Sequence, residues 1–199
     1  MSQLDVLVSV ALGIGLAAAV GFRVFLPLLV VSVAGYSGYL PLSDSFSWLA
    51  TLPALLMLGV AAILEIAAYY IPGVDNLLDT VATPAALVAG TIVAAAVMTE
   101  LPPLVKWTTA VIAGGGAAGI TQAVTGLLRA KSTVTTGGLG NAAIATGELG
   151  GSLLTSLLAL FMPLVALAFV VLFCWLSVKL IRRLFQRRPG PADDGQADR

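Results

Sequence analysis

The chain has 199 residues, of which 59% are hydrophobic and only 10% are charged, and its mean hydropathy is +1.02. Soluble domains carry about 25% charged residues, so this composition excludes a water-soluble domain and indicates an integral membrane protein. Histidine is absent and there is one cysteine, Cys174. These counts exclude a histidine- or cysteine-based metal site, an internal disulfide and a Ser-His or Cys-His catalytic pair.

The charged residues are unevenly spread along the chain. Six of them lie in the last thirteen residues, and long neutral intervals separate most of the others: 6–22, 24–43, 45–64, 80–99, 107–128 and 149–178. A helix needs about 20 mostly apolar residues to cross a bilayer. Because the apolar runs are continuous rather than alternating, we predict an all-α, polytopic transmembrane helical bundle of about five spans with broken or re-entrant segments. We expect this domain to cover residues 1–186, followed by a disordered cytoplasmic tail over 187–199.

The first apolar stretch, residues 4–34, is too long for one upright span. Gly21-Phe22-Arg23 and Pro27 interrupt it, which predicts a break or kink there. Asp5 stands where a signal peptide would carry basic residues, so we interpret this stretch as the first span.

Two further spans are predicted before residue 100. Residues 35–46 have the composition of an interfacial loop, and Ser45 or Ser47 could cap a helix over 47–71 that ends at Pro72-Gly73. Asp75 and Asp79 are placed to complement the start of a third helix over about 77–98.

The second half of the sequence predicts a fourth helix over 104–129, after a short loop that contains Trp107. Residues 131–149 are rich in glycine and threonine, which favours a re-entrant or partly unwound element. From Gly150 to about Phe185 we predict one long helix, kinked at Pro163, because Met162-Pro163 offers no polar loop for a hairpin. The basic flank 179–188 then indicates a cytoplasmic C-terminus.

An internal repeat is a further hypothesis. Residues 15–29 align without gaps to residues 115–129, with Gly, two Ala, Val and Leu in common. If the first and fourth predicted helices are repeats, three spans of displacement would give them the opposite orientations of an inverted-topology transporter. Chance matching of apolar residues is the alternative.

Two charged side chains lie within the predicted spans. Glu65 follows about eighteen residues of the second helix, and Arg23 lies in the first. A charge at membrane depth costs a few kcal/mol unless it is paired, hydrated or neutralised. An Arg23–Glu65 ion pair would relieve both costs, and it could be either a fixed structural pair or part of a transport site.

Two polar groups flank the breaks. Asp75, Asn76 and Asp79 follow Tyr69 closely and could form an acidic gate for a cation or proton, with helix capping as the alternative. In the glycine-rich segment, Thr136, Asn141 and Glu148 could line a substrate path, because exposed backbone at membrane depth requires a wet cavity or burial. The spacing of Gly114–Gly119 favours helix packing rather than a ligand site.

The chain resembles a known family in three motifs: residues 21–27 (GFRVFLP), 65–79 (EIAAYYIPGVDNLLD) and 132–141 (STVTTGGLGN). Over residues 10–165 it is similar to the bacterial domain-of-unknown-function 4126 membrane family. The resemblance implies a membrane protein and brings no established activity.

These observations favour a small transporter or channel for an ion or small solute in a bacterial inner membrane, as a possible homodimer. A lipid-handling protein and a non-transporting scaffold or assembly factor are the alternatives. The site residues we predict are Arg23, Glu65, Tyr69, Asp75, Asn76, Asp79, Thr136, Asn141 and Glu148. We expect contact with the lipid bilayer and a solute or ion, but no metal, no cofactor, no nucleic acid and no enzymatic activity.

Overall fold

The structure, a computed structural model, describes residues 2–71 and 73–186, apart from the side chains of residues 76, 180, 181 and 183–186. All regular elements in these residues are helical, which confirms the predicted fold class. The predicted tail, 187–199, lies outside the described residues. The α-helices are α1 (Gln3–Val20), α2 (Phe25–Tyr36), α3 (Leu52–Ala68), α4 (Val74–Val97), α5 (Pro103–Thr109), α6 (Gly116–Thr136), α7 (Asn141–Phe161) and α8 (Pro163–Gln186). A 3₁₀ segment (Asp44–Ala50) precedes α3, and a π-helical segment (Ala110–Gly115) joins α5 to α6.

Four helical segments are long and apolar enough to cross a membrane: α1, residues Leu77–Val97 of α4, the continuous Pro103–Thr136 and α7. A fifth span results if the 3₁₀ segment and α3, which meet at a bend of 68°, cross together. The helix α2 and residues Pro163–Lys179 of α8 are shorter apolar helices. The prediction of about five spans is therefore confirmed.

The outer surface is apolar, as a lipid-facing surface must be. On α3, for example, Leu56, Met57, Val60 and Ile63 are each more than half exposed. Water would disfavour such a surface, whereas hydrocarbon does not, so these side chains contact the bilayer.

The helix α1 lies at the centre and packs against α4, α6, α7 and α8. Small residues allow this close packing. A Cβ on Gly21 would lie 2.3 Å from the backbone oxygen of Ala118, so only glycine fits where α1 meets α6. A Cβ on Gly114 would lie 2.6 Å from the Cβ of Ala94, which agrees with the predicted packing role of the 114–119 glycines.

The predicted break in the first apolar stretch is present and reverses the chain. The helix α1 ends at Val20, and α2 begins at Phe25. Leu40, which follows α2, lines the same surface pocket as Leu4 near the start of α1. The helices α1 and α2 therefore form an antiparallel hairpin, and Arg23 lies at its turn.

A second hairpin contradicts the long helix predicted from Gly150 to Phe185. A Cβ on Gly15 would lie 2.8 Å from the Cβ of Ala159 and 3.2 Å from that of Ala166. In a continuous helix those two residues would be about 10 Å apart, so the chain must fold back at Met162. The prediction failed because it required a polar loop. Here Met162 leaves the helical conformation (φ −139°, ψ 65°), and Pro163 begins α8 without needing a hydrogen-bond acceptor for its nitrogen.

Two helix boundaries also differ from prediction. The second predicted helix starts at Leu52 rather than residue 47, because Thr51, not Ser45 or Ser47, caps it and Pro53 belongs in a first turn. The fourth helix continues to Thr136 instead of ending at residue 129. Residues 131–149, predicted to be re-entrant or unwound, form the end of α6, a four-residue turn with Gly137 and Gly138 at positive φ, and the start of α7.

Helix directions do not support the inverted repeat between residues 15–29 and 115–129. Ala17 lies near Gly114, and Gly21 lies near Thr121, so α1 and α6 run in the same direction. The chain reverses direction at Arg23, which the repeat hypothesis did not include, and this reversal removes the inversion. It reverses again at Met162, so the start of α1 and the end of α8 lie at opposite ends of the bundle.

Candidate functional site

Most of the polar residues predicted for the site meet at one end of the bundle. The α1–α2 turn, the α3–α4 turn and the α6–α7 turn all lie there, because the helices that they join alternate in direction. Eight side chains converge, and we call them the charged cluster: Arg23, Glu65, Tyr69, Asp75, Asp79, Arg129, Asn141 and Glu148.

The cluster lies below the helix ends rather than at the surface. Arg129 is seven residues before the end of α6, and Glu148 is seven residues after the start of α7. At 1.5 Å per residue, both are about 10 Å inside the bundle. Arg129 is 1% exposed and Glu148 is 3% exposed, so these charges are removed from water.

Arg129 is the best-connected residue of the cluster. Its Nε donates to Glu148 Oε1 at 3.0 Å, and its Nη2 donates to Glu148 Oε2 at 2.5 Å. Its Nη1 donates to Asp79 Oδ1 at 2.6 Å. A two-point guanidinium–carboxylate contact is among the strongest polar contacts in proteins, so Arg129 joins α4, α6 and α7.

Arg23 is bound far less completely. Its Nη2 donates to the backbone oxygen of Ala145 at 3.0 Å and lies 3.7 Å from Glu148 Oε2. The residue is 1% exposed, yet Nε and Nη1 have no hydrogen-bond acceptor among the described residues. The predicted Arg23–Glu65 ion pair is not formed, because Arg23 points to α7 instead.

Glu65 binds the start of α2. Its Oε1 accepts the N–H of Val24 at 2.7 Å, and its Oε2 accepts the N–H of Phe25 at 3.0 Å. The first N–H groups of a helix have no partner within the helix and carry partial positive charge. Glu65 therefore stabilises the reversal at Arg23 without an ion pair.

Tyr69 directly follows α3 and is 5% exposed. The guanidinium carbons of Arg23 and Arg129 lie 4.0 Å and 4.2 Å from its ring centroid. Such cation–π contacts each contribute about 0.5–2 kcal/mol, the larger values when the groups are removed from water. Tyr69 thus brings the two guanidinium groups into one site.

Asp75 and Asn141 form the outer part of the cluster. Asp75 Oδ1 accepts the N–H of Gly73 at 2.9 Å, as the capping alternative predicted, and its Oδ2 accepts from Asn141 Nδ2 at 2.6 Å. The same Nδ2 lies 3.1 Å from Thr133 Oγ1. This group ties the α3–α4 turn to the α6–α7 turn.

Two of the predicted site residues are not brought into the cluster. Thr136 is exposed, and its hydroxyl accepts the N–H of Gly140 at 3.0 Å, so it stabilises the α6–α7 turn. The side chain of Asn76 lies outside the described residues.

The part of the chain that the structure describes contains no group of three Asp, Glu, Cys or His side chains able to hold a metal ion. The cluster consists of buried charges and hydrogen-bonding groups. It can bind polar or charged groups, and carboxylates within it can take up protons.

A groove connects the cluster to the outer surface. It has a volume of about 460 Å³, lies between α3 and α4, and ends at the start of α2. Glu65 and Tyr69 line it together with apolar side chains. A second groove of about 450 Å³, between α2 and α7, has almost entirely apolar walls and no charged residue.

The site residues predicted from the sequence did not include Arg129. The fourth helix was predicted to end at this residue, and a basic residue is common at the end of a helix. The available signal was the charge balance: Glu65, Asp75, Asp79 and Glu148 were proposed as site residues against one arginine. Buried carboxylates need cationic partners, and this imbalance pointed to a second arginine.

Comparisons with known proteins identify the family. A family model described as "Domain of unknown function (DUF4126)" matches residues 10–183. The chain belongs to this family. The match confirms the resemblance in the three motifs, and the charged cluster lies wholly within the matched residues. No curated protein matches the chain, and no solved structure matches it.

Proposed function

We propose that this DUF4126 protein moves a small solute or ion across a bilayer and that the charged cluster is its binding site. Arg23 is the observation that carries the proposal. Its Nε and Nη1 bear three N–H donors, which have no acceptor among the described residues although the residue is 1% exposed. Leaving a buried donor unsatisfied costs about 1–3 kcal/mol. Such donors are suited to bind an oxygen atom of a passing solute.

The contacts of Arg129 support different roles for the two arginines. All three of its nitrogens already bond to Glu148 or Asp79. It therefore holds the carboxylates in position, while Arg23 retains the capacity to bind. Ionisable residues buried within a bilayer mark substrate or ion pathways in many membrane proteins.

We further propose a bacterial inner membrane location with a cytoplasmic C-terminus. Lys179 and Arg182 follow the apolar part of α8, and basic residues next to a span favour the cytoplasmic side. The helix α8 runs toward the end of the bundle that carries the cluster, so the cluster would lie nearer the cytoplasm. A homodimer remains a prediction of the same account.

The test is ion flux into proteoliposomes that contain the wild type or Glu148→Gln. Proton, sodium, potassium and chloride fluxes are measured separately under an imposed gradient. We expect the wild type to raise at least one flux above that of protein-free liposomes. Glu148→Gln should reduce that flux about tenfold or more, because a barrier increase of only 1.4 kcal/mol has this effect.

Glu100→Gln is the matched control. Glu100 follows α4 at the opposite end of the bundle, where it accepts a hydrogen bond from Thr99 at 3.1 Å. Its substitution should leave the flux unchanged. Equal flux in the wild type and Glu148→Gln would contradict the proposal. No flux for any of the four ions would favour the scaffold or lipid-handling alternatives, which do not require Glu148 to support ion movement.

A further inference from the structure

The groove between α3 and α4 provides a lateral path from the lipid to the charged cluster. Its volume of about 460 Å³ is within the range of small-molecule sites, about 300–1,000 Å³. Leu64, Leu78 and Ala82 are among its apolar walls, and Glu65 and Tyr69 are its polar residues. An apolar cavity with a few polar groups at one end is typical of an amphiphile site.

Glu65 determines which charge the groove can accept. It accepts hydrogen bonds from two uncharged backbone N–H groups, and it makes no ion pair within the described part of the chain. An ionised carboxylate has about four lone-pair positions, so further acceptor capacity remains. Glu65 is 9% exposed, and it lines the groove.

The walls of the groove carry charge of the same sign. Among the described residues, Glu65 lines the groove and no Lys or Arg side chain does. The start of α2 adds about half a positive charge beside Glu65. The full charge of the carboxylate exceeds this partial charge, which favours a cation over an anion in the groove.

From these observations we propose that the groove binds a lipophilic cation, with the positive group against Glu65 and the apolar body between α3 and α4. A hydrated inorganic ion gains nothing from walls that cannot replace its water. An anion would meet the carboxylate of Glu65. Phe25, which also lines the groove, adds an aromatic surface that suits an ammonium or phosphonium group.

This assignment goes beyond the proposed transport function and does not involve Arg23, whose N–H donors suit an oxygen atom rather than a cation. It stands on the groove and on Glu65 alone. The two proposals can therefore fail separately. Cation binding without ion flux would contradict the transport proposal, and ion flux without cation binding would contradict this inference.

The experiment is equilibrium binding of radiolabelled tetraphenylphosphonium to the protein in phosphatidylcholine nanodiscs, with empty nanodiscs as the blank. Tetraphenylborate, a lipophilic ion of similar shape and opposite charge, is the matched probe. We expect saturable binding of the phosphonium ion only. Glu65→Gln should weaken it about tenfold or more, since loss of one partner of a desolvated charge pair has at least this effect.

Two further variants keep the test decisive if Glu65→Gln fails to fold. Ala82→Leu fills the groove while Glu65 is retained, and it should also abolish saturable binding. Leu157→Phe narrows the second groove, between α2 and α7, and should leave binding unchanged. The inference would be overturned by saturable binding of both ions alike, by absence of binding to the wild type, or by binding that survives Glu65→Gln or Ala82→Leu.

Discussion

The two buried arginines, Arg23 and Arg129, are equally buried but differ in how many of their nitrogens make hydrogen bonds. Arg129 lies on a continuous helix and uses all three nitrogens on carboxylates, whereas Arg23 lies at a chain reversal and uses one. Every nitrogen of Arg129 has a carboxylate partner, so this residue holds helices together. Under the proposed function, Arg23 binds the solute with the donors that have no acceptor among the described residues. Burial of a charge alone therefore does not distinguish the two proposed roles, whereas the number of hydrogen bonds already made does.

Replacing Arg129 should produce the largest effect on stability. Arg129→Gln removes the partner of Asp79 and the closer of the two partners of Glu148, and it leaves a buried and a partly buried carboxylate near each other. Breaking a buried ion pair by removing one partner costs about 3–5 kcal/mol. The measurement is unfolding in mixed micelles of increasing denaturing detergent, followed by circular dichroism. A loss below about 1 kcal/mol would show that Arg129 is not the structural arginine.

Substitution of Gly21, which packs against α6 next to Arg23, should have the next largest effect on stability. Gly21→Ala places a Cβ 2.3 Å from the Ala118 oxygen, so the α1–α2 turn must move away from α6. Overpacking of this kind costs about 2–3 kcal/mol. Gly126→Ala is the control, since a Cβ there meets nothing within 4 Å. It should be neutral or stabilising by up to about 1 kcal/mol, and equal losses in both variants would contradict the packing argument.

Asn141→Ala should have a smaller effect on the free energy of unfolding. It removes the amide that donates to Asp75 Oδ2 and Thr133 Oγ1, and the loss of a hydrogen bond to a charged group costs about 1–2 kcal/mol. Thr136→Val in the same turn removes an exposed hydroxyl and should cost less than about 0.5 kcal/mol. The same unfolding measurement compares them. A larger loss for Thr136→Val would place the important contacts of this turn outside the cluster.

The sequence was sufficient to predict the features that depend on local composition. The helical membrane class follows from long neutral intervals. The breaks at Arg23 and near Gly73 follow from glycine, proline and charge at positions where an apolar helix would otherwise continue, but the reversal of the chain at Arg23 was not predicted. Pro72 itself lies outside the described residues.

Other features depend on contacts between distant residues and could not be predicted in this way. The hairpin at Met162 has no polar signal, because Gly15 and the alanines facing it, Ala159 and Ala166, determine how α7 and α8 pack. Likewise, Arg23 pairs with Glu148 rather than Glu65 because α7 lies against α1. The sequence pattern indicated that Arg23 and Glu65 are buried but missed Arg129, and helix packing selects the partners of all three.

Flux through Arg23→Gln in proteoliposomes tests the central claim most directly. This variant leaves the Arg129–Glu148 contact in place and removes a cation with three unused donors, so its stability should stay within about 1–2 kcal/mol of the wild type. If Arg23 binds the transported species, the flux that the wild type supports should fall about tenfold or more. Unchanged flux through a folded Arg23→Gln protein would contradict the account.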